Sequence, residues 1–268
     1  MVSRYKILIT GRTGYISNAL THFLSQNHDI TCIGRSDLIL TNKQKVDSWF
    51  KDKEFDIVIH TAINGGHRLK AEDDSILSDN IKMFFNLLYH KNKYKKFISF
   101  GSIAENNLHS SLYGLSKNII SQYIQKEDTF YNLKICGVFD YNEKITRFIK
   151  ANTLKYITKM SQIIYNDKYM DFIYMQDLLS IVNYYINNDN LPKNIDCVYT
   201  KKIMLSDISN IINNLNIHKV NIEIENKHID NPYIGDGNIL NSLKLNLIGL
   251  TQGIKNTYNI LNKNSGII

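Results

Sequence analysis

The chain of 268 residues is 43% hydrophobic and 21% charged, the balance of a soluble globular protein with room for one large domain or a domain and a lobe. Its net charge of +7 suits an acidic ligand, but the densest basic cluster, KNKYKK at 91–96, sits between a helical stripe and an apolar run and reads as a solvated turn, so no nucleic-acid partner is expected. Cys32, Cys136 and Cys197 form no CxxC pair, the histidines form no HExxH, and no apolar run approaches the roughly 20 residues of a membrane span, so no metal and no membrane segment are expected and the protein is read as cytoplasmic.

Strand-like runs alternate with helical stripes from the start. KILIT (6–10) reads as a strand, and ISNALTHFLSQ (16–26) repeats Ile16, Leu20, Phe23 and Leu24 at helical spacing. ITCIG (30–34) is a second strand, and residues 43–53 form a helix around Val46, Trp49 and Phe50. FDIVIHTA (55–62) is a continuous apolar run, the kind buried on both faces of a parallel sheet. A helix over 75–91, the strand KFISFGS (96–102), a helix over 113–124 and the strand LKICGVF (133–139) follow. This alternation implies βαβ units in a Rossmann-type α/β fold, a doubly wound parallel sheet with its ligand crevice beyond the carboxyl ends of the strands. After about residue 140 the alternation weakens. Helices at 145–157, 176–187, 205–215 and 251–262 are separated by short strands near 163–165, 172–175, 197–199 and 220–224. The expected organisation is a dinucleotide-binding domain over 1–140 and a smaller substrate-binding lobe over 141–268, some segments of which return to the sheet.

The junction TGRTGYIS (10–17) sets Gly11 and Gly14 between the first strand and the first helix. Glycines there let the backbone turn tightly and approach a diphosphate, whose charge meets the N–H groups of the helix N-terminus. Gly11, Arg12, Thr13, Gly14, Tyr15 and Ile16 are therefore candidate pyrophosphate ligands, and Ser17 is small enough to replace a third glycine in helix–strand packing. The second strand ends IGRSD, with Arg35 and Ser36 where an acidic residue would bond the ribose hydroxyl of NAD. A guanidinium and a hydroxyl suit a 2′-phosphate, with Arg12 close by, so NADP(H) is expected over NAD(H), although Asp37 leaves a ribose partner open.

Tyr113 and Lys117, four apart, share one helical face, and Ser102 ends the strand before them. Tyr89 and Lys93 repeat the spacing but lack a serine at a preceding strand end. A phenol, of ordinary pKa about 10, is a poor proton donor at neutral pH. The Lys117 ammonium would favour the phenolate, Ser102 would orient a substrate oxygen, and Tyr113 would exchange a proton with it while hydride moves to or from a nicotinamide.

TGRTGYI, the YGLSK pentad and the upstream Ser102 resemble the extended short-chain dehydrogenase/reductase family, in its nucleotide-sugar epimerase/dehydratase/reductase branch. IVIHTAINGG (57–66) is similar to that family's fourth-strand segment, with Gly65 and Gly66 as in GDP-fucose synthases. Asn80, MDFIYMQDL (170–178) and the closing GDGNILNSLKLNLIGLTQGIKNTYNIL resemble further recurrent segments. The resemblance implies that Thr61, Ala62 and Ile63 line the adenine–ribose side and that Asn80, Tyr113 and Lys117 border the cofactor. It implies catalysis by Ser102, Tyr113 and Lys117, and a sugar nucleotide held after Phe139, with Arg147, Lys150 and Lys155 on one helical stripe that could meet its diphosphate. The Asp–Glu pair of the dehydratases is replaced by Ile103–Ala104, and the extra cysteine of the fucose synthases by Ala104, with Glu105 or His109 as possible substitutes. The implied activity is NADP(H)-dependent reduction of a keto group, at C4, on a nucleotide-activated 4-keto-6-deoxy sugar. The alternatives are an NAD-dependent nucleotide-sugar 4-epimerase and a non-catalytic dinucleotide-binding sensor or scaffold. The resemblance implies a homodimer through the helices of 75–91 and 113–124, whose apolar residues would equally suit packing on the sheet.

Overall fold

The computed structural model describes residues 4–66, 72–106 and 111–265. The chain begins β1 (Lys6–Thr10), α1 (Tyr15–Leu24), β2 (Asp29–Ile33), α2 (Lys43–Phe50), β3 (Ile57–His60), α3 (Ser75–Leu88), β4 (Lys96–Ser102), α4 (Leu112–Ile124) and β5 (Phe130–Ile135). It continues β6 (Gly137–Phe139), α5 (Phe148–Ile157), β7 (Gln162–Asn166), β8 (Phe172–Tyr174), α6 (Met175–Asn187), β9 (Asn194–Asp196), α7 (Leu205–Asn213), β10 (Ile222–Asn226), α8 (Asn238–Ser242) and α9 (Leu250–Ser265). Two compact units result, one of residues 1–134 and 182–195, the other of 135–181 and 196–268.

The first unit is built on a six-stranded sheet of order β2-β1-β3-β4-β5-β9. β1 pairs in parallel with both β2 and β3, and β3 with β4. The order reverses between β1 and β3, which is where a doubly wound sheet opens its crevice. The run resembling a fourth strand is thus the third in this chain: among the described residues no strand lies between β2 and β3, and α2 fills that interval.

β3 and β4 are buried along their whole length, as the unbroken apolar runs require of strands covered on both faces. One face carries a core of Leu8, Val58, Phe84, Phe97, Ile120 and Phe130 among others. Phe97 is its centre. Its ring stacks on Phe130 at 4.9 Å and meets Phe84 edge-on at 5.7 Å. At the far end of β4, Lys96 buries its ammonium against the carbonyls of Tyr185, Ile186 and Asn188 at the end of α6, where the helix carbonyls need donors.

The second unit has two small sheets, β10 with β7 and β6 with β8, each pairing parallel. Its own core joins Phe139, Ile149, Tyr156, Ile208, Ile212 and Ile254 with their neighbours. The run CVY (197–199) departs from its expected strand: the strand lies just before it, at β9. Cys197 and Val198 are buried and mimic a strand's apolarity, but Val198 N bonds Asp196 O, a turn rather than a ladder. All three cysteines are free thiols.

Phe97→Ala should lower the unfolding free energy by about 3–5 kcal/mol, because it removes the ring on which Phe84 and Phe130 pack and leaves a cavity. Urea titration followed by fluorescence measures this. A loss below about 1 kcal/mol would mean that the core closes around the gap.

Candidate active site

The glycine turn is formed by main-chain bonds and one serine. Gly11 N and Arg12 N both donate to Ile33 O, tying the turn to the end of β2. Gly11 has φ +86°, and a Cβ there would lie 2.9 Å from Thr61 Oγ1 and 3.0 Å from Ala62 N, so only glycine fits. Ser17 is fully buried and does more than spare room: its hydroxyl donates to Gly11 O at 2.5 Å and Gly14 O at 2.9 Å. Gly14, in extended backbone, starts α1 with no side-chain cap, and the helix has no acid in its first turn. The positive end of the helix therefore meets no carboxylate of its own first turn.

The turn is braced from β3. Thr61 Oγ1 donates to Thr10 O at 2.6 Å, and Ala62 N donates to Thr10 Oγ1 at 3.2 Å. Thr10 Oγ1 also bonds His60 Nδ1 at 2.9 Å. Burial, with the charge of Lys117 adding to it, drives the His60 pKa down to about 3, so this histidine is a neutral structural group. Further along the same segment, Asn64 N donates to Asn80 Oδ1, while Asn80 Nδ2 donates to Asn64 O and to Ser116 Oγ. Asn80 thereby links the strand-end loop to α4. Ile63 is exposed beside this loop.

At the tip of β2, Arg35 and Ser36 are exposed, and they border a cavity of about 520 Å³ with Asp37, Ile39, Lys45 and Trp49. Asp37 is already engaged. It accepts from Gly34 N at 2.7 Å and pairs with the Arg12 guanidinium at 3.0 Å, and Arg12 also donates to Ser36 Oγ at 3.1 Å. The carboxylate left open as a ribose partner also clasps the two arginine-bearing loops together.

Ser102, Tyr113 and Lys117 all belong to the first unit. Ser102 is the last residue of β4, and Tyr113 and Lys117 lie in the first turns of α4. Two acceptors secure the start of that helix: Ser111 Oγ takes Gly114 N at 2.8 Å, and Glu72 Oε2 takes Leu112 N at 2.6 Å and Tyr113 N at 3.3 Å. Lys117 is buried and donates to Phe100 O at 2.5 Å from beneath, with its nitrogen 5.9 Å from the Tyr113 ring centre. Burial lowers the pKa of its ammonium, and the Glu105 carboxylate opposes that shift. Ser102, only 4% exposed, accepts from Ala104 N through its hydroxyl oxygen at 3.2 Å. The tyrosine ring is only partly covered, and a methyl on Gly66 (φ +73°) would come within 3.2 Å of it. By contrast Tyr89 is 68% exposed and Lys93 lies in a separate 3-10 turn.

Other candidates sit differently. Arg147 caps the start of α5 rather than lying within it, and its guanidinium is 4.0 Å from Glu143. The Lys150 ammonium, on α5, spans Tyr141 O and Glu143 O of the loop before that helix, so it is engaged before any diphosphate arrives. Lys155 is in the last turn of α5. Glu105 is 3% exposed and accepts from Ser102 N, so it offers no free base to a sugar carbon. His109 lies outside the described residues. Sequence reasoning missed the bracing roles of Thr10, His60 and Glu72, because each acts on a neighbour distant in sequence. Ser111 was legible as a helix cap just before YGLSK.

Among the described residues no group of His, Cys, Asp and Glu is placed to hold a metal, and no helix is long and apolar enough to cross a membrane. The model of the NAD dependent epimerase/dehydratase family matches residues 7–198. GDP-L-colitose synthase of Yersinia pseudotuberculosis is 26% identical over 232 residues, 71% of this chain and 75% of that protein. Among solved structures, a GDP-L-fucose synthetase of Naegleria fowleri bound to NADP superimposes with TM-score 0.78 at 17% identity, covering 99% of this chain and 95% of the other. A GDP-mannoheptose C4 reductase of Campylobacter jejuni with NADP bound gives 0.81 at 18% identity, covering 97% and 99%. At those identities the solved structures speak for the Rossmann-type fold. With the glycine turn, the serine–tyrosine–lysine set and a family match over most of the chain in hand, the chain belongs to the NAD dependent epimerase/dehydratase family of the extended short-chain dehydrogenases/reductases.

Proposed function

We propose that this chain reduces a keto group, at C4, of a nucleotide-activated 4-keto-6-deoxy sugar, with NADPH as reductant. The observation that carries the reading is the pairing of a partly covered phenol, Tyr113, with a buried ammonium, Lys117, on the helix that follows the strand ending in Ser102. The glycine turn fits a dinucleotide: it has no room for a Cβ at Gly11, and α1 starts with neither a side-chain cap nor an acid. Gly11 to Ile16 would hold the pyrophosphate, Thr61 to Ile63 and Asn80 the ribose side, and Arg12, Arg35 and Ser36 a 2′-phosphate beside the cavity at the β2 tip. A nicotinamide bound there supplies hydride.

The chain's own residues do the rest. Ser102 and Tyr113 donate hydrogen bonds to the ketone oxygen and orient it. As the carbon gains two electrons and a hydrogen, the oxygen becomes an alkoxide and takes the Tyr113 proton, so ketone, hydride and proton give a secondary alcohol. Lys117 stabilises the phenolate left behind until solvent reprotonates it. Among the described residues, Ala104 and the engaged Glu105 leave no second base there for epimerising a neighbouring carbon. Support for the substrate class comes from the relatives, whose names join GDP sugars with synthase or C4 reductase activity, two of them solved with NADP. A cytoplasmic homodimer through α3 and α4 completes the reading.

The test is incubation of the purified protein with NADPH and a panel of nucleotide 4-keto sugars, following loss of NADPH absorbance. A 4-epimerase would instead carry bound NAD and turn over without added reductant; a sensor would bind NADPH and consume none.

Tyr113→Phe should lower kcat by about 10²–10⁴-fold and leave the NADPH Kd near wild type, since the phenol oxygen acts on the substrate. Stopped-flow rates and equilibrium titration separate the two effects, and an active phenylalanine variant would remove the mechanism. Arg35→Ala should weaken NADPH by about 10- to 100-fold, the worth of a charge-assisted hydrogen bond, and NADH far less. Equal losses would overturn the NADP preference.

A further inference from the structure

Glu105 stands in the 3-10 turn Ile103–Asn106, directly after β4, and the reaction above makes no use of its carboxylate. A carboxylate 3% exposed is costly unless it is paired and hydrogen-bonded. Glu105 has both kinds of partner. Its Oε1 accepts from Ser102 N at 2.9 Å, and both oxygens accept from Asn132 Nδ2 of β5 at 3.3 Å. All three bonds arrive from N–H donors, the pattern that suits an anion. Its main-chain oxygen accepts from Asn118 Nδ2, on the helix that carries Tyr113 and Lys117. Gly101 leaves the space for this arrangement: a methyl there would overlap Glu105 Oε1 and come within 2.6 Å of Asn132 Oδ1.

The charges around it are few. Burial pushes the Glu105 carboxyl above its ordinary range, and the Ser102 N–H, Asn132, Lys134 of β5 and Lys117 of α4 all oppose this by favouring the anion. Around Lys117 stand Glu105, the neutral His60 of β3, the Phe100 carbonyl of β4 and Tyr113 on its own helix. Among the described residues the carboxylate acting on the Lys117 ammonium is that of Glu105.

We propose that Glu105 is a positioning residue of the active site: a buried carboxylate that pins the main chain of Ser102 and serves as the fixed counter-charge of the Lys117 ammonium. It does not touch the substrate. It acts through Ser102 and through Lys117, and the proposal rests on the reductase reading only for the consequence in turnover.

Burial drives Lys117 toward the neutral amine, and the carboxylate opposes this. Glu105→Gln keeps an oxygen for Ser102 N and removes the charge. The Lys117 midpoint should fall by about one unit or more, the size of an opposite-charge effect at close range. The measurement is a pH titration of ¹³Cε-labelled lysines by NMR, with the Lys117 signal assigned by its loss in Lys117→Met. Reciprocity supplies a second reading that does not need the glutamine variant to fold. In Lys117→Met the Glu105 ¹³Cδ midpoint should rise. Neither group moving when the other is neutralised overturns the proposal, whatever the protein turns over. In turnover, losing the anion favours both the phenolate of Tyr113 and the neutral amine of Lys117, so the alkaline limb of kcat for ketone reduction moves to lower pH in Glu105→Gln. If the midpoints shift as expected and the wild type reduces no ketone, the counter-charge stands and the reductase reading falls. If the wild type reduces ketones while the midpoints stay put, the reverse holds.

Discussion

A lysine ammonium buried under a helix is the constraint from which the rest of the first unit follows. Taking a charge out of water costs several kcal/mol after relaxation, so the fold must surround Lys117 with acceptors and opposite charge or lose the helix that carries it. The Phe100 carbonyl at 2.5 Å is the acceptor, and it is reachable only because α4 lies close against the turn after β4. Gly114 permits that approach, since a Cβ there would sit 2.6 Å from Ala104 O. Buried Ser121, seven residues on, keeps that face of the helix thin, while buried Ser116 accepts from Asn80 of α3 on another face. The helix start is then held by Ser111 and Glu72, and Tyr113 is carried with it.

The same economy of side chains governs the other end of the unit. Strand order reverses between β1 and β3, so the segments leaving those strands diverge and open a crevice. Thr10 keeps the crevice's floor together. Its hydroxyl meets His60 and Ala62 N, and its carbonyl takes Thr61. His60 can serve there because burial and the nearby Lys117 keep it neutral. A protonated imidazole at that point would add a second buried cation beside the first. His60 of β3 and Lys117 of α4 thus share one electrostatic constraint across neighbouring elements.

What the sequence made legible follows the range of the forces involved. The alternation of apolar runs and helical stripes announced the parallel sheet, because burial on both faces leaves a local trace in each strand. The glycines, the Tyr113–Lys117 spacing and Ser102 were legible because each lies at a strand end or a helix start that periodicity marks. Ser17 read as a small packing residue, and its bonds to Gly11 O and Gly14 O were invisible until the turn was folded. CVY at 197–199 misled because buried turn residues are as apolar as strand residues. Glu105 was seen as a substitute base, since a carboxylate near a catalytic serine has no address in sequence. Only the fold reveals that it faces Ser102 N and Asn132. Lys150 was seen as a free cation for the same reason, and the carbonyls that claim it come from a loop whose path no pattern predicts.

Two opposite-charge relationships in the unit show how dielectric decides what such a pairing is for. Arg12 and Asp37 meet at 3.0 Å with side chains 49% and 32% exposed. In that setting an ion pair is worth about 0–1 kcal/mol, so an incoming anion can replace Asp37 at the guanidinium at little cost. Lys117 and Glu105 interact where both are buried, and there neither group can turn to water if the other is lost. The exposed pair can exchange partners, which suits a rim that must admit and release a charged ligand. The buried one cannot, which suits a group whose protonation state must stay fixed while ligands come and go. Their placement, one at the β2 tip and one beneath α4, would separate cofactor recognition from proton transfer in the proposed reductase.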